Sequence, residues 1–130
     1  MFVLFNKPFN VLCQFTDKEG RKTLTDYIPI KNVYAAGRLD YDSEGLVILT
    51  DDGKLQNLIS DPNNKLEKTY WVQVEGIPNE ESLNKLRNGI LLKDGMTKPA
   101  IANLISESIV QERNPPIRER KNIPTSWIEL

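Results

Sequence analysis

The sequence predicts an α+β fold, a mostly antiparallel mixed sheet with flanking helices, and three observations carry that expectation. Short apolar runs rich in β-branched or aromatic residues, GLVILT, WVQV and SWIEL, recur along the 130 residues. Two other segments, DDGKLQNLIS and PNEESLNKLRNG, place apolar residues at helical spacing behind residues able to cap a helix. Strand-like and helix-like segments alternate without an internal repeat.

Taken in order, FVLFNKP is a first strand, stopped by Pro8, which has no N–H to give to a ladder. NVLCQF returns from the turn as a second strand, and RKTLTDYI is a short helix ending before Pro29. GLVILT is a central strand. DDGKLQNLIS starts a helix in which Asp51 or Asp52 caps the free amides and complements the positive end. Leu55, Leu58 and Ile59, at i, i+3 and i+4, form its apolar face. The polar turn DPNNKLEK separates a subdomain at 1–66, which carries the GRLD segment, from a second at 67–130, the two expected to meet near 63–68 in a cleft.

In the second half, KTYWVQVEG alternates as a strand. PNEESLNKLRNG is a helix with Asn79 as N-cap, Leu83 and Leu86 on its inner face, and Gly89 closing it. GILLKDGMTKPAIANLISE is a hairpin or strand pair turning at KDG, with Met96 assigned to the core. IPTSWIEL begins another strand, Trp127 and Glu129 facing one way and Ile128 and Leu130 the other. The alternation runs to Leu130 without a turn or cap, so the expectation is that residues 1–130 are the N-terminal part of a longer protein.

Composition removes several kinds of chemistry. The chain has no histidine, which excludes Ser-His and Cys-His catalysis and most zinc sites. Its one cysteine, Cys13, lies between apolar neighbours, so no internal disulfide forms and a buried, inert thiol is expected. Any chemistry must come from carboxylates, Lys, Arg or Tyr. No apolar stretch is long enough to span a membrane, and MFVLFNKPF turns polar too soon for a secretory signal, so a cytoplasmic location is expected. Net charge is −1 and the pI near 5.5, which gives no global signature of nucleic acid. RNPPIRERK at 113–121 sets four basic residues against one acidic; on charge alone, a solvated loop stiffened by Pro115 and Pro116 accounts for it.

One segment, GRLDYDSEGLVILTDDG at 37–53, is open to two interpretations. Asp40, Asp42, Glu44, Gly45 and Asp51 fall at positions one, three, five, six and twelve of a calcium-loop pattern. That pattern needs a helix on either side, but Pro29 and Gly37 weaken a helix upstream, and Val47, Ile48 and Thr50 have the composition of a strand. Ile48, at position nine, offers no side-chain oxygen. The alternative makes Asp40 a nucleophile.

The residues around Asp40 favour that alternative, because GRLDYDSEGLVILTDDG resembles the signature of the rRNA pseudouridine synthase family, GRLD-x-x-[ST]-x-GL followed by an apolar strand and T-[ND]-[DN]-G. Lys7-Pro8 in FNKP fits that family's first motif and KTY at 68–70 its second, and VEGIPNEESLNKLRNG and RNPPIRERKNIPTSW resemble a large-subunit branch of it, so the resemblance covers essentially the whole chain. It implies the catalytic fold of those synthases and a reaction that breaks the bond from ribose C1′ to base N1, turns the base and rejoins it through C5. By this resemblance Asp40 is the catalytic carboxylate, with attack on the sugar, attack on the base and removal of a ribose proton all open to it. Tyr70 matches the aromatic residue that stacks on the uracil. Arg38 matches an arginine that fills the space left by a flipped base or holds the RNA backbone. Lys7 is assigned to a phosphate contact, and Asp42 and Glu44 to shaping the loop. The implied partner is large-subunit ribosomal RNA, bound with the target base flipped out. No metal and no organic cofactor is implied, nor any membrane, and a monomer is expected. The family's C-terminal basic motif would follow Leu130, so residues 1–130 alone are expected to be inactive. Two alternatives are a non-catalytic RNA-binding or assembly module, and a glycosidase-like pair formed by Asp40 with Asp42 or Glu44.

Overall fold

The computed structural model describes residues 1–113, 116 and 122–130. The chain divides into two compact units, Met1–Leu66 and Glu67–Leu130, and together their helices and antiparallel sheets make an α+β fold.

In the first unit, β1 (Phe2–Lys7), β2 (Tyr34–Ala36) and β3 (Gly45–Thr50) form an antiparallel sheet in the order β1-β3-β2. Lys7 pairs with Gly45 and Phe2 with Thr50. Alternation in β1 leaves Phe2, Leu4 and Asn6 exposed and turns Val3, Phe5 and Lys7 inward. Val3 and Phe5 meet a core built on Cys13, Leu24, Ile28, Val33, Val47 and Leu49. Helix α1 (Gly53–Ser60) packs on β2 and β3. Of the two capping aspartates it is Asp52 that acts, its Oδ1 accepting from the N–H groups of Lys54 at 2.9 Å and Leu55 at 3.3 Å. Leu58 departs from the expected apolar face. It is 55% exposed, whereas Leu55 and Ile59 are half-buried and Gln56 reaches across to the Ala35 carbonyl at 3.1 Å.

Two further expectations for this unit are corrected. NVLCQF is not a strand: Leu12 makes only an isolated parallel bridge to Thr23. Asn10 turns the chain in the left-handed region at φ 56°, and Val11 spends its carbonyl on the Lys7 ammonium and its N–H on the Tyr41 carbonyl. With its one N–H committed to Tyr41, Val11 has no donor left for a ladder. RKTLTDYI contracts to a single 3-10 turn, Leu24–Asp26, closed by a capping box between Thr23 and Asp26.

In the second unit, β4 (Trp71–Glu75), β7 (Asn103–Ile105) and β8 (Thr125–Glu129) form an antiparallel sheet ordered β4-β8-β7, with β8 in the centre. Both Trp127 and Ile128 are therefore buried, although they point to opposite faces. Helix α2 (Glu80–Asn88) is capped by Asn79, whose Oδ1 accepts from Ser82 N–H at 2.9 Å. It buries Leu83 against Ala102 and Ile128. The ribbon of β5 (Leu91–Leu92) and β6 (Gly95–Met96) turns at Lys93 and Asp94. Met96 is not in the core. At 66% exposed it lies on a two-stranded ribbon outside the buried core of this unit.

Gly89 joins α2 to that ribbon at φ +105°, and a Cβ there would lie 2.6 Å from the Thr97 carbonyl oxygen. Backbone conformation and space both exclude a side chain. Gly89→Ala should therefore cost about 2 kcal/mol or more, read as a lowered midpoint in urea unfolding. An unchanged midpoint would show that the loop relaxes without cost.

Candidate active site

The GRLD segment links β2 to β3. After β2, Gly37 takes φ +85°, a conformation that disfavours a side chain, and redirects the chain. Arg38 then projects into solvent, while Leu39 packs on the core. Asp40 opens a turn over 40–43, closed by the Ser43 N–H donating to the Asp40 carbonyl at 3.1 Å. The Asp40 side chain is exposed, and among the described residues none makes a hydrogen bond or ion pair to its carboxylate. The following stretch, which the calcium pattern would make a loop, is strand β3.

Beneath this turn lies Lys7, the last residue of β1, with 0% of its surface exposed. Its ammonium donates to three carbonyls, those of Pro8 and Val11 at 2.8 Å each and Tyr41 at 3.2 Å. The Tyr41 carbonyl also accepts the Val11 N–H at 3.3 Å. An ammonium has three protons, so Lys7 has none left for a phosphate. The sequence assignment of a phosphate contact is therefore replaced by a structural one, in which Lys7 ties β1, the segment after it and the Asp40 turn together. Burial lowers the pKa of Lys7, and the neighbouring negative groups, Cys13 if ionised and the carboxylates of Glu44, Asp42 and Asp40, act in the opposite direction. The buried cation thus lies within electrostatic reach of the carboxylates of this segment, while its direct partners are backbone carbonyls.

The segment after β1 also flanks the turn. Gln14 Oε1 accepts from Arg38 Nη2 at 3.0 Å, and the Arg21 guanidinium lies 5.8 Å from the centre of the Tyr41 ring. Arg21 is held by Asp17, whose carboxyl it keeps at a pKa of about 2 through their hydrogen bonds. Neither Gln14 nor Arg21 carries a local signal in the sequence, Gln14 being one polar residue in an apolar segment and Arg21 one of several charges in the polar segment after it.

The structure thus brings Lys7, Arg38 and Asp40 together in the first unit. Tyr70 belongs to the second. It is 45% exposed, and its main chain exchanges hydrogen bonds with Leu130 at 2.8 and 2.9 Å, extending the β4–β8 ladder. In the basic loop, Arg113 and Pro116 are described, whereas Pro115, Arg118, Arg120 and Lys121 lie outside the described residues.

The comparisons with known proteins point one way. The family model described as RNA pseudouridylate synthase matches residues 1–126. Ribosomal large subunit pseudouridine synthase E of Vibrio parahaemolyticus is 59% identical over 128 residues, covering 98% of this chain and 54% of that protein. The protein of the same name from Xanthomonas axonopodis pv. citri is 50% identical, covering 100% of this chain and 70% of its own. A crystal structure of a pseudouridylate synthase superposes with a TM-score of 0.68 at 29% identity, over 99% of this chain and 50% of that one. The chain spans about half the length of the Vibrio relative and of that crystallised synthase.

Proposed function

The chain belongs to the RNA pseudouridylate synthase family, and on that premise we propose that the protein isomerises a uridine of large-subunit ribosomal RNA to pseudouridine, with Asp40 as nucleophile. The observation that carries this reading is the Asp40 turn: an exposed carboxylate with a guanidinium two residues before it, on main chain tied from below by a buried ammonium. The reaction suits such a site. The C1′–N1 bond breaks, a C1′–C5 bond forms, N1 gains a proton and C5 loses one, so no redox partner is called for and nothing leaves the nucleoside. A carboxylate is ionised at neutral pH and can form a covalent intermediate.

The target base must leave its stack before a side chain can reach it. Arg38, exposed and carrying a planar fork of donors, is assigned to the space the base vacates or to the adjacent phosphate. Tyr70, with an exposed ring, is assigned to the uracil. The protein is proposed to work in the cytoplasm as a monomer without a metal ion; no helix among the described residues is long and apolar enough to cross a membrane.

The test is tritium release from a large-subunit rRNA transcript labelled at uridine C5, using the complete protein. Release in step with pseudouridine formation is expected. Saturable RNA binding without release would instead make the protein a binding or assembly module.

A further inference from the structure

The reading of Arg38 raises a question of orientation. An exposed arginine samples many rotamers, and a guanidinium recognises a phosphate or a base edge only when its fork is aimed. Among the described residues Arg38 makes one hydrogen bond, from Nη2 to Gln14 Oε1 at 3.0 Å. The Gln14 amide is itself fixed, because its Nε2 donates to the Thr16 carbonyl at 2.7 Å. A flipped amide would set NH2 against the guanidinium and oxygen against a carbonyl, so only one orientation satisfies both ends.

The backbone under Gln14 is equally held. Its carbonyl accepts from the buried Leu24 at 2.9 Å, Leu12 N–H donates to the Lys22 carbonyl at 2.9 Å, and Cys13 beside it lies in the core. The loop beyond is folded on Asp17, which accepts from Arg21 N–H at 2.8 Å and from Arg21 Nε at 3.1 Å. From that loop Arg21 reaches the ring of Tyr41. One braced segment therefore touches the chain on both sides of Asp40, at Arg38 and at Tyr41.

We propose that Gln14 is a positioning residue, whose amide aims the Arg38 guanidinium so that its remaining N–H groups face the nucleic acid. The inference rests on the assignment of Arg38 to RNA. Gln14 itself touches no reacting atom.

A double-mutant cycle on the complete protein tests it, with kcat and KM measured separately by tritium release. Gln14→Met keeps the length of the side chain and loses both hydrogen bonds, and kcat/KM should fall about tenfold. Gln14→Glu keeps an acceptor for Arg38 but loses the donor to Thr16, and its kcat/KM should fall by less than that of Gln14→Met. In an Arg38→Ala background, Gln14→Met should cost nothing further, because the side chain it positions is gone. Losses that multiply across the two sites would overturn the inference, as would a Gln14→Glu variant as impaired as Gln14→Met. Wild-type turnover by Arg38→Ala would remove the assignment of Arg38, and this inference with it. Multiplying losses with an impaired Arg38→Ala would leave the assignment standing and sink the inference alone.

Discussion

Replacing Asp40 with Asn is expected to lower isomerisation by the complete protein by about four orders of magnitude or more, the scale on which removal of a covalent nucleophile registers. Binding of the same rRNA transcript should stay within about threefold of wild type. The separation follows from how the turn is held. Asp40 contributes its carbonyl to the turn, accepting from Ser43, and the next residue is tied through its own carbonyl by Lys7 and Val11. The substitution touches none of those bonds. It alters only an exposed carboxylate that makes no hydrogen bond to the described residues. The amide keeps the shape and loses both the charge and the nucleophile, so a folded, RNA-binding, inactive protein is the outcome that identifies Asp40. Turnover like wild type would exclude it from the mechanism. A parallel loss of binding would make Asp40 an RNA ligand and leave the nucleophile to be sought elsewhere.

The elements legible in the sequence are those whose signals are local. GLVILT is an apolar run with β-branched Val47, Ile48 and Thr50, SWIEL carries Trp127 and Ile128 between polar neighbours, and both fall in strands. Asp52 and Asn79 cap the two helices because a short polar side chain before an amphipathic run satisfies the first free amides. The failures share a different cause. NVLCQF has the residues of a strand, but a lysine from the preceding element and the turn at Tyr41 claim the hydrogen-bonding groups of Val11. Met96 and Leu58 were placed by residue type and spacing, yet their burial depends on what lies across from them, which spacing does not contain. Asp40 and Arg38 were legible only through the motif around them. Lys7 carries a signal of its own in the alternation: Val3, Phe5 and Lys7 share one parity in β1, so a strand that buries Val3 and Phe5 also turns Lys7 inward.

Lys7 gives the second large effect. Lys7→Met keeps the length and the apolar stem but removes the donor to the carbonyls of Pro8, Val11 and Tyr41. A buried acceptor left unpaired costs about 1–3 kcal/mol. Some of that is offset because an ammonium no longer has to be held away from water. The net expectation is a loss of about 2–4 kcal/mol in unfolding free energy. Activity should fall further than stability alone would require. At a temperature where both proteins are folded, a loosened Asp40 turn should lower kcat about a hundredfold while RNA affinity changes little. The pH dependence supplies an independent check. Burial sets the folded pKa of Lys7 below its ordinary value of 10.5. Between the folded value and 10.5 the unfolded chain binds more protons, so wild-type stability should rise with pH across that window. The Met variant should lack this contribution. Wild-type stability together with lost RNA affinity and retained kcat would return Lys7 to the phosphate contact that its place in the motif first suggested. A joint loss of stability and kcat, with RNA still bound, is what a buried strut under the Asp40 turn requires.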